Sequence, residues 1–304
     1  MRSPKRFGCP ILPLLVTGGG DRVHPAARGF DIASEPYERG RPDYPVEALR
    51  FLAQELALGP DREVVEIAAG TGKLTRGLLS FGVRLVAIEP SAGMRATFHR
   101  AVPGVAVEDG TAEAIPRPGA SADAIVVGQA FHWFRFGAAL DEFYRVLRPG
   151  GGLGLVWNRR DESVAWVARF GALLARRRPP GTPDSKDEGW KEAFHGEPRF
   201  APLRHRAFPF RHEETVEDLV DRAVSVSFIA ALSEAERARF AEEVRRFVRT
   251  DPDLRDRATV GFPYRCDVYL THRSDADGSG ALASQPGRHG QRAHFAGDGS
   301  AAPS

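Results

Sequence analysis

From Val64 onward, short apolar runs alternate with amphipathic stretches, and this alternation predicts the fold. Val64 to Ala68, Arg84 to Glu89, Val105 to Glu108, Ala124 to Gly128 and Gly152 to Trp157 have the length and composition of strands. Between them, Leu74 to Phe81, Ser91 to Val102 and Gly137 to Leu147 carry their apolar residues at helical spacing. Strands separated by helices imply right-handed crossovers and a parallel sheet covered on both faces, an α/β architecture. Ahead of this core, Phe30 to Arg41 reads as a polar, partly helical cap. The stiff turn Arg41-Pro-Asp-Tyr44-Pro45 then leads into a helix from Val46 to Leu58, with Leu49, Leu52, Ala53 and Leu56 on its apolar face.

After Trp157 the regularity breaks. Arg176 to Asp184, with three prolines and a glycine, reads as an exposed loop with solvated arginines. A short helix around Trp190 to Phe194, a strand-like Leu203 to Phe210, and helices Val216 to Val224 and Glu234 to Val248 follow. Thr259 to His272 alternates Val260, Phe262, Tyr264, Cys266, Val268 and Leu270, as a strand returning to the sheet would. From Ser274 the composition turns to Gly, Ala, Ser, Asp and Arg, which gives a disordered tail over 273–304. No internal repeat is visible.

Composition adjusts this picture only at its edges. The 304 residues, 42% of them hydrophobic, suffice for a substantial core, and a formal charge of +2 does not single out a polyanionic partner. Cys9 and Cys266 are too few and too far apart for a disulfide framework or a zinc site, which points to a reducing, cytoplasmic setting and no metal. Arg2, Lys5 and Arg6 before the apolar Cys9 to Val16 imitate a signal peptide, but Pro10 and Pro13 interrupt the run and no small-x-small cleavage site follows. Residues 1–29 are therefore expected to be a disordered leader, or the product of an early start codon. No stretch reaches the roughly 20 apolar residues of a membrane span.

Candidate chemistry concentrates in Glu66-Ile-Ala-Ala-Gly70-Thr-Gly72-Lys-Leu74, where a strand ends in a small-residue turn before a helix. Gly70 and Gly72 allow left-handed backbone and close approach of a ligand. A phosphate-binding Walker loop would need Gly where Ile67 stands and Ser or Thr where Leu74 stands. A dinucleotide fingerprint would need Gly in place of Thr75. The remaining reading has two acids, Glu66 and Glu89, at the ends of adjacent strands, flanking one crevice in which Glu89 accepts hydrogen bonds from a ribose.

Five segments then carry a resemblance. They are Glu66 to Gly72, Ala87-Ile-Glu89-Pro90-Ser91-Ala-Gly-Met94, Gly110-Thr-Ala-Glu113-Ala-Ile-Pro116, Asp123 to Phe134, and Arg145-Val-Leu-Arg-Pro149-Gly-Gly151. Together they resemble a class I S-adenosylmethionine-dependent methyltransferase. The Ala130-Phe-His-Trp-Phe134 run, Val156-Trp-Asn158 and Arg41 to Pro45 resemble its type 11, small-molecule branch, which includes trans-aconitate-methyltransferase-like proteins. The resemblance implies a Rossmann-like, doubly wound, mostly parallel seven-stranded sheet with one antiparallel strand, a helical N-terminal cap and a C-terminal lid insertion. One domain would span 30–272, its cofactor-binding half 60–158 and its lid and last strands 159–272.

For the site, the resemblance implies that Glu66 through Gly72, with Ala68 in place of a usual glycine, meet the methionine part of S-adenosylmethionine. Glu89 holds the ribose, Pro90 lies against the adenine, Thr111 and Ala112 frame its edge, and Gln129 completes the set. The acceptor side is expected at Gln129 to Trp133. There His132 orients the acceptor or acts as its base, Trp133, Trp157 and Tyr44 line the pocket, and Tyr37, Arg41 and Tyr44 form a lid, faced by Ser225, Ser227 and Phe228. The implied reaction is methyl transfer to an oxygen, or less readily a nitrogen or carbon, of a small molecule, with a carboxylate among the candidate acceptors. An RNA or protein methyltransferase using Arg176 to Arg178 and Arg245-Arg246, and an inactive cofactor-binding protein, are the alternatives.

Overall fold

The computed structural model describes residues 34–184 and 186–274; the expected leader, and the tail beyond Ser274, lie outside them. Two helices, α1 (Ser34–Gly40) and α2 (Val46–Glu55), precede the alternating core. The core runs β1 (Glu63–Ile67), α3 (Lys73–Leu79), β2 (Arg84–Ile88), α4 (Ala92–Ala101), β3 (Ala106–Glu108), β4 (Ala122–Gly128), α5 (Phe136–Val146) and β5 (Leu147–Arg160). The C-terminal half adds α6 (Ala165–Ala175), a 3-10 segment Glu188–Phe194, β6 (Arg204–Thr215), α7 (Val216–Val224), α8 (Ser227–Ala230), α9 (Glu234–Thr250) and β7 (Thr259–His272).

These strands form one seven-stranded sheet in the order β3-β2-β1-β4-β5-β7-β6. β1 pairs in parallel with both β2 and β4, so the order reverses beside it, and β7 runs antiparallel to both of its neighbours. Because successive strand residues face opposite sides, Val65, Ile67, Ile125, Val127, Leu153 and Leu155 meet α5 on one face. Val64, Val126 and Val156 meet α2, α3 and α4 on the other. Both layers are sealed by fully buried aromatics, Phe143 on the first face and Phe98 on the second.

Three segments differ from the sequence reading. α6 falls in a stretch to which the sequence reading assigns no element, although Trp166, Val167, Phe170, Leu173 and Leu174 fall at helical spacing and are buried. β5 starts earlier, because Leu147 pairs with Ala122 across an irregularity that the Arg-Pro-Gly sequence disguises as a turn. β6 runs on to Thr215; as an edge strand it exposes most of one side, so its composition looks polar.

A third apolar cluster, from α6, α7, α8, α9 and the first half of β7, builds the lid. Arg160 pairs with Tyr264, so that half of β7 lies beside the C-terminal end of β5. The lid thus sits at the carboxyl edge of the parallel strands, where ligands bind in open α/β sheets. Capping boxes at Thr215/Asp218 and Ser233/Glu236 fix the starts of α7 and α9. The N-terminal cap is joined to the lid: Arg39 Nε donates to Asp221 Oδ2 at 2.7 Å, and a Cβ on Gly40 would stand 2.3 Å from the Arg222 nitrogen.

Candidate active site

The turn after β1 is held in left-handed backbone at Ala68 (φ 54°), Gly70 (φ 59°) and Gly72 (φ 87°). Gly72 is demanded by packing: its missing Cβ would lie 2.4 Å from Val102 Cγ2 and 2.9 Å from the Phe98 ring of α4. Around the Cβ direction of Gly70 the space is open. The Gly70 amide donates to Glu89 Oε2 at 2.9 Å and the Ser91 amide to Glu89 Oε1 at 2.8 Å. One carboxylate therefore ties the loops after β1 and β2 together.

Glu66, at the same edge, is 1% exposed and accepts from Thr75 Oγ1 at 2.5 Å. Burial, reinforced by the charge of Glu89 and offset in part by the Thr75 bond, pushes its carboxyl up to about 8, so it is protonated at neutral pH. Thr71 Oγ1, in the turn between the glycines, is buried without a hydrogen-bond partner. Thr111 and Ala112 are buried in the turn that follows β3, where Thr111 and Ala114 form an isolated bridge, and Pro90 is half-buried after β2.

At the end of β4, Gln129 is itself left-handed (φ 61°); its amide donates to the Val156 carbonyl at 2.8 Å and its Nε2 to the Asn158 carbonyl at 3.2 Å. A non-glycine residue held there stores backbone strain, which these two hydrogen bonds to β5 hold in place. A 3-10 segment Phe131–Trp133 follows, with Phe131 fully buried and His132 and Trp133 half-buried, their rings 5.2 Å apart. The Trp157 indole Nε1 donates to His132 Nδ1 at 3.3 Å. Since indole only donates, Nδ1 accepts and the imidazole proton resides on Nε2. Burial lowers the His132 pKa to about 4, which keeps the ring neutral.

This has a consequence for stability. Below pH 6.5 the unfolded histidine binds a proton that the folded one refuses until about pH 4, so stability falls as pH drops through that window. The difference between native protein and His132→Asn, followed by urea unfolding, is expected to shift by roughly 3 kcal/mol in favour of the variant between pH 7.5 and pH 4.

A crevice beside the glycine turn is lined by Tyr37, Arg41, Tyr44, Gln129, Asn158 and Arg222. Tyr44 reaches in so far that a Cβ on Gly128 would stand 2.5 Å from its hydroxyl. Tyr37, Arg41 and Tyr44 thus line this edge together. Three expectations need correction. Trp157 does not line the crevice: it is 0% exposed, on the same strand face as Leu153 and Leu155, stacked 4.9 Å from Trp190. Ser225, Ser227 and Phe228 are buried within the lid, and Ser225 Oγ caps the Arg222 carbonyl. Arg177 and Arg178 are not merely solvated, since they pair with Glu243 and Asp184. Arg222, which sequence reasoning passed over, is the α7 residue that faces the crevice. Among the described residues, no group of three or more His, Cys, Asp or Glu could hold a metal, and no helix is long and apolar enough to cross a membrane.

Residues 65–155 match a family model described as a methyltransferase domain. The uncharacterized methyltransferase-like protein C25B8.10 of Schizosaccharomyces pombe is 34% identical over 247 residues, covering 81% of this chain and 95% of its own. Uncharacterized methyltransferase Rv3342 of Mycobacterium tuberculosis is 37% identical over 235 residues, covering 77% and 91%. The chain belongs to the class I S-adenosylmethionine-dependent methyltransferases. Solved structures agree on the fold of this methyltransferase. One from Anaeromyxobacter dehalogenans, named as a type II methyltransferase, superposes with a TM-score of 0.52 at 23% identity, covering 77% of this chain and 97% of its own. A Haemonchus contortus phosphoethanolamine N-methyltransferase, in complex with phosphomonomethylethanolamine and S-adenosylhomocysteine, superposes with a TM-score of 0.50 at 14% identity, covering 81% and 58%.

Proposed function

We propose that this methyltransferase binds S-adenosylmethionine at the carboxyl ends of β1, β2 and β4 and methylates an oxygen of a small molecule entering between the cap and the lid. The observation that carries the cofactor site is the Glu89 bridge between two loops, beside an open Gly70 and an unpartnered, buried Thr71 hydroxyl. These groups fit the cofactor. Glu89 takes the ribose hydroxyls, Glu66, Ala68, Gly70, Thr71 and Gly72 surround the methionine part, and Pro90, Thr111 and Ala112 border the adenine. The cofactor supplies a methyl group activated by its sulfonium charge. The protein's own task is to align the acceptor and exclude water.

His132 serves as an orienting residue. With Nδ1 occupied by Trp157 and the proton on Nε2, it offers the acceptor a donor rather than a base. The pH profile of kcat/KM is therefore expected to show no inflection that disappears in His132→Asn, whereas a base would produce one. Glu66 makes a second expectation. Neutral in the free protein, it sits where the cationic methionine end is held, and a nearby positive charge favours its ionised form. Cofactor binding at pH 7 should release a proton, so calorimetric titration should be more exothermic in Tris than in phosphate buffer.

A small acceptor is favoured over RNA because three of the five arginines in the candidate basic segments are already paired. Arg177 meets Glu243, Arg178 meets Asp184, and Arg245 meets Glu217 and Glu242. A buried, free Cys266 accords with a cytoplasmic setting. Incubation of cell extract with methyl-labelled cofactor tests the reading: label is expected in the small-molecule fraction, and label confined to RNA or protein would refute it.

A further inference from the structure

Two arginines from separate parts of the chain, Arg41 before α2 and Arg222 on α7, line one crevice beneath the lid, and Arg160, at the end of β5, lies close enough for its charge to act on Arg222 and to feel that of Arg41. Arg222 is 2% exposed, and its Nε and Nη1 are buried with no hydrogen-bond partner. Glu214 forms a long ion pair with it, Oε2 standing 3.9 Å from that Nε, beyond hydrogen-bond distance, while its other oxygen, Oε1, receives the Tyr264 hydroxyl at 2.9 Å. The Nε atoms of Arg41 and Arg160 are likewise buried and unpartnered. Glu162 lies 3.6 Å from Arg160 Nε, but Lys186 bonds to the same carboxylate oxygen.

Electrostatics tells the same story. Burial lowers the pKa of Arg222 to about 9, and the neighbouring charges of Arg41 and Arg160 add to the fall, although Glu214 opposes it. Arg160 is lowered too, by burial and then by Arg41. Three guanidinium groups held together with donors unmet are costly unless an anion joins them. Arg41 and Arg222 line the crevice shared with Gln129, so an anion there would stand beside the cofactor turn. Planar, forked guanidinium donors match carboxylate and phosphate oxygens.

We propose that Arg41, Arg160 and Arg222 form an oxyanion subsite, and that the methyl acceptor carries a carboxylate or phosphate held by it. The inference rests on the methyl-transfer reading for the word acceptor, while the subsite itself is testable alone. Neutral and cationic acceptors would leave the arginines unmatched and be rejected.

The test is calorimetric titration with succinate, citrate, inorganic phosphate and glycerol 3-phosphate at constant ionic strength, on the protein with and without saturating S-adenosylhomocysteine. At least one anion should bind the native protein saturably, and the carboxylate and phosphate arms show which group is preferred. Arg41→Gln, on a half-buried turn, and Arg222→Gln should each weaken that binding about tenfold or more while S-adenosylhomocysteine affinity stays unchanged. Circular dichroism confirms that each variant is folded, and Arg41→Gln alone decides the matter if Arg222→Gln is not. Absence of anion binding, or unchanged binding in the folded variants, would overturn the subsite. Loss of S-adenosylhomocysteine affinity in the variants would also overturn it, assigning the arginines to the cofactor carboxylate. Failure of the native protein to bind S-adenosylhomocysteine would instead strike the methyl-transfer reading, leaving the cofactor-free anion titration to decide the subsite.

Discussion

Replacing Glu89 with alanine is expected to weaken S-adenosylhomocysteine binding about a hundredfold, close to 3 kcal/mol, in a protein that remains folded. Two losses combine. The ribose hydroxyls lose a charged acceptor, and charge-assisted hydrogen bonds are roughly twice as strong as neutral ones. The amides of Gly70 and Ser91, which now meet Oε2 and Oε1, lose their shared partner, so the loops after β1 and β2 are no longer tied. Glu89→Gln separates the two effects: its amide nitrogen must face one of those two backbone donors, so the loop is perturbed even though size is conserved. Calorimetric titration of both variants, with thermal unfolding as the control for folding, checks the order native, Gln, Ala.

Trp157→Ala is expected to destabilise the protein by roughly 4 kcal/mol in urea unfolding. The indole is fully buried between Trp190 at 4.9 Å and Tyr269 at 5.8 Å, in the cluster that holds Phe131 beneath the site. Alanine would leave a cavity that the surrounding rings are too stiff to close. Trp157→Phe keeps most of the packing but removes the donor to His132 Nδ1. It should retain most of the stability while raising the acceptor KM, because the imidazole tautomer is no longer fixed. An acceptor KM left unchanged in Trp157→Phe would mean that the indole acts only as filling.

Much of this arrangement was legible in the sequence because its physics is local. β7 was read with its observed bounds, since a strand buried between β5 and β6 shows unbroken alternation, and α7 was legible for its strong apolar face. The Glu66 to Gly72 turn was readable because left-handed backbone leaves its mark as glycine. Trp157 was misplaced although alternation with Leu153 and Leu155 puts it on the core face; the pull of a strand-end aromatic toward a ligand reading obscured this. The helix α6 was hidden by the charged stretch Arg159 to Glu162 before it. Arg41, Arg160 and Arg222 were beyond reach together: only the sheet order and the docking of α1 on α7 bring such distant positions under one lid.

The cofactor site is tested most directly by titrating the native protein with S-adenosylhomocysteine, and with NAD as the competing nucleotide of the same fold class. One saturable site for S-adenosylhomocysteine and none for NAD is the expected result. No binding of S-adenosylhomocysteine, or preference for NAD, would contradict the assignment of Glu66, Gly70 and Glu89 to a methyl-donor site.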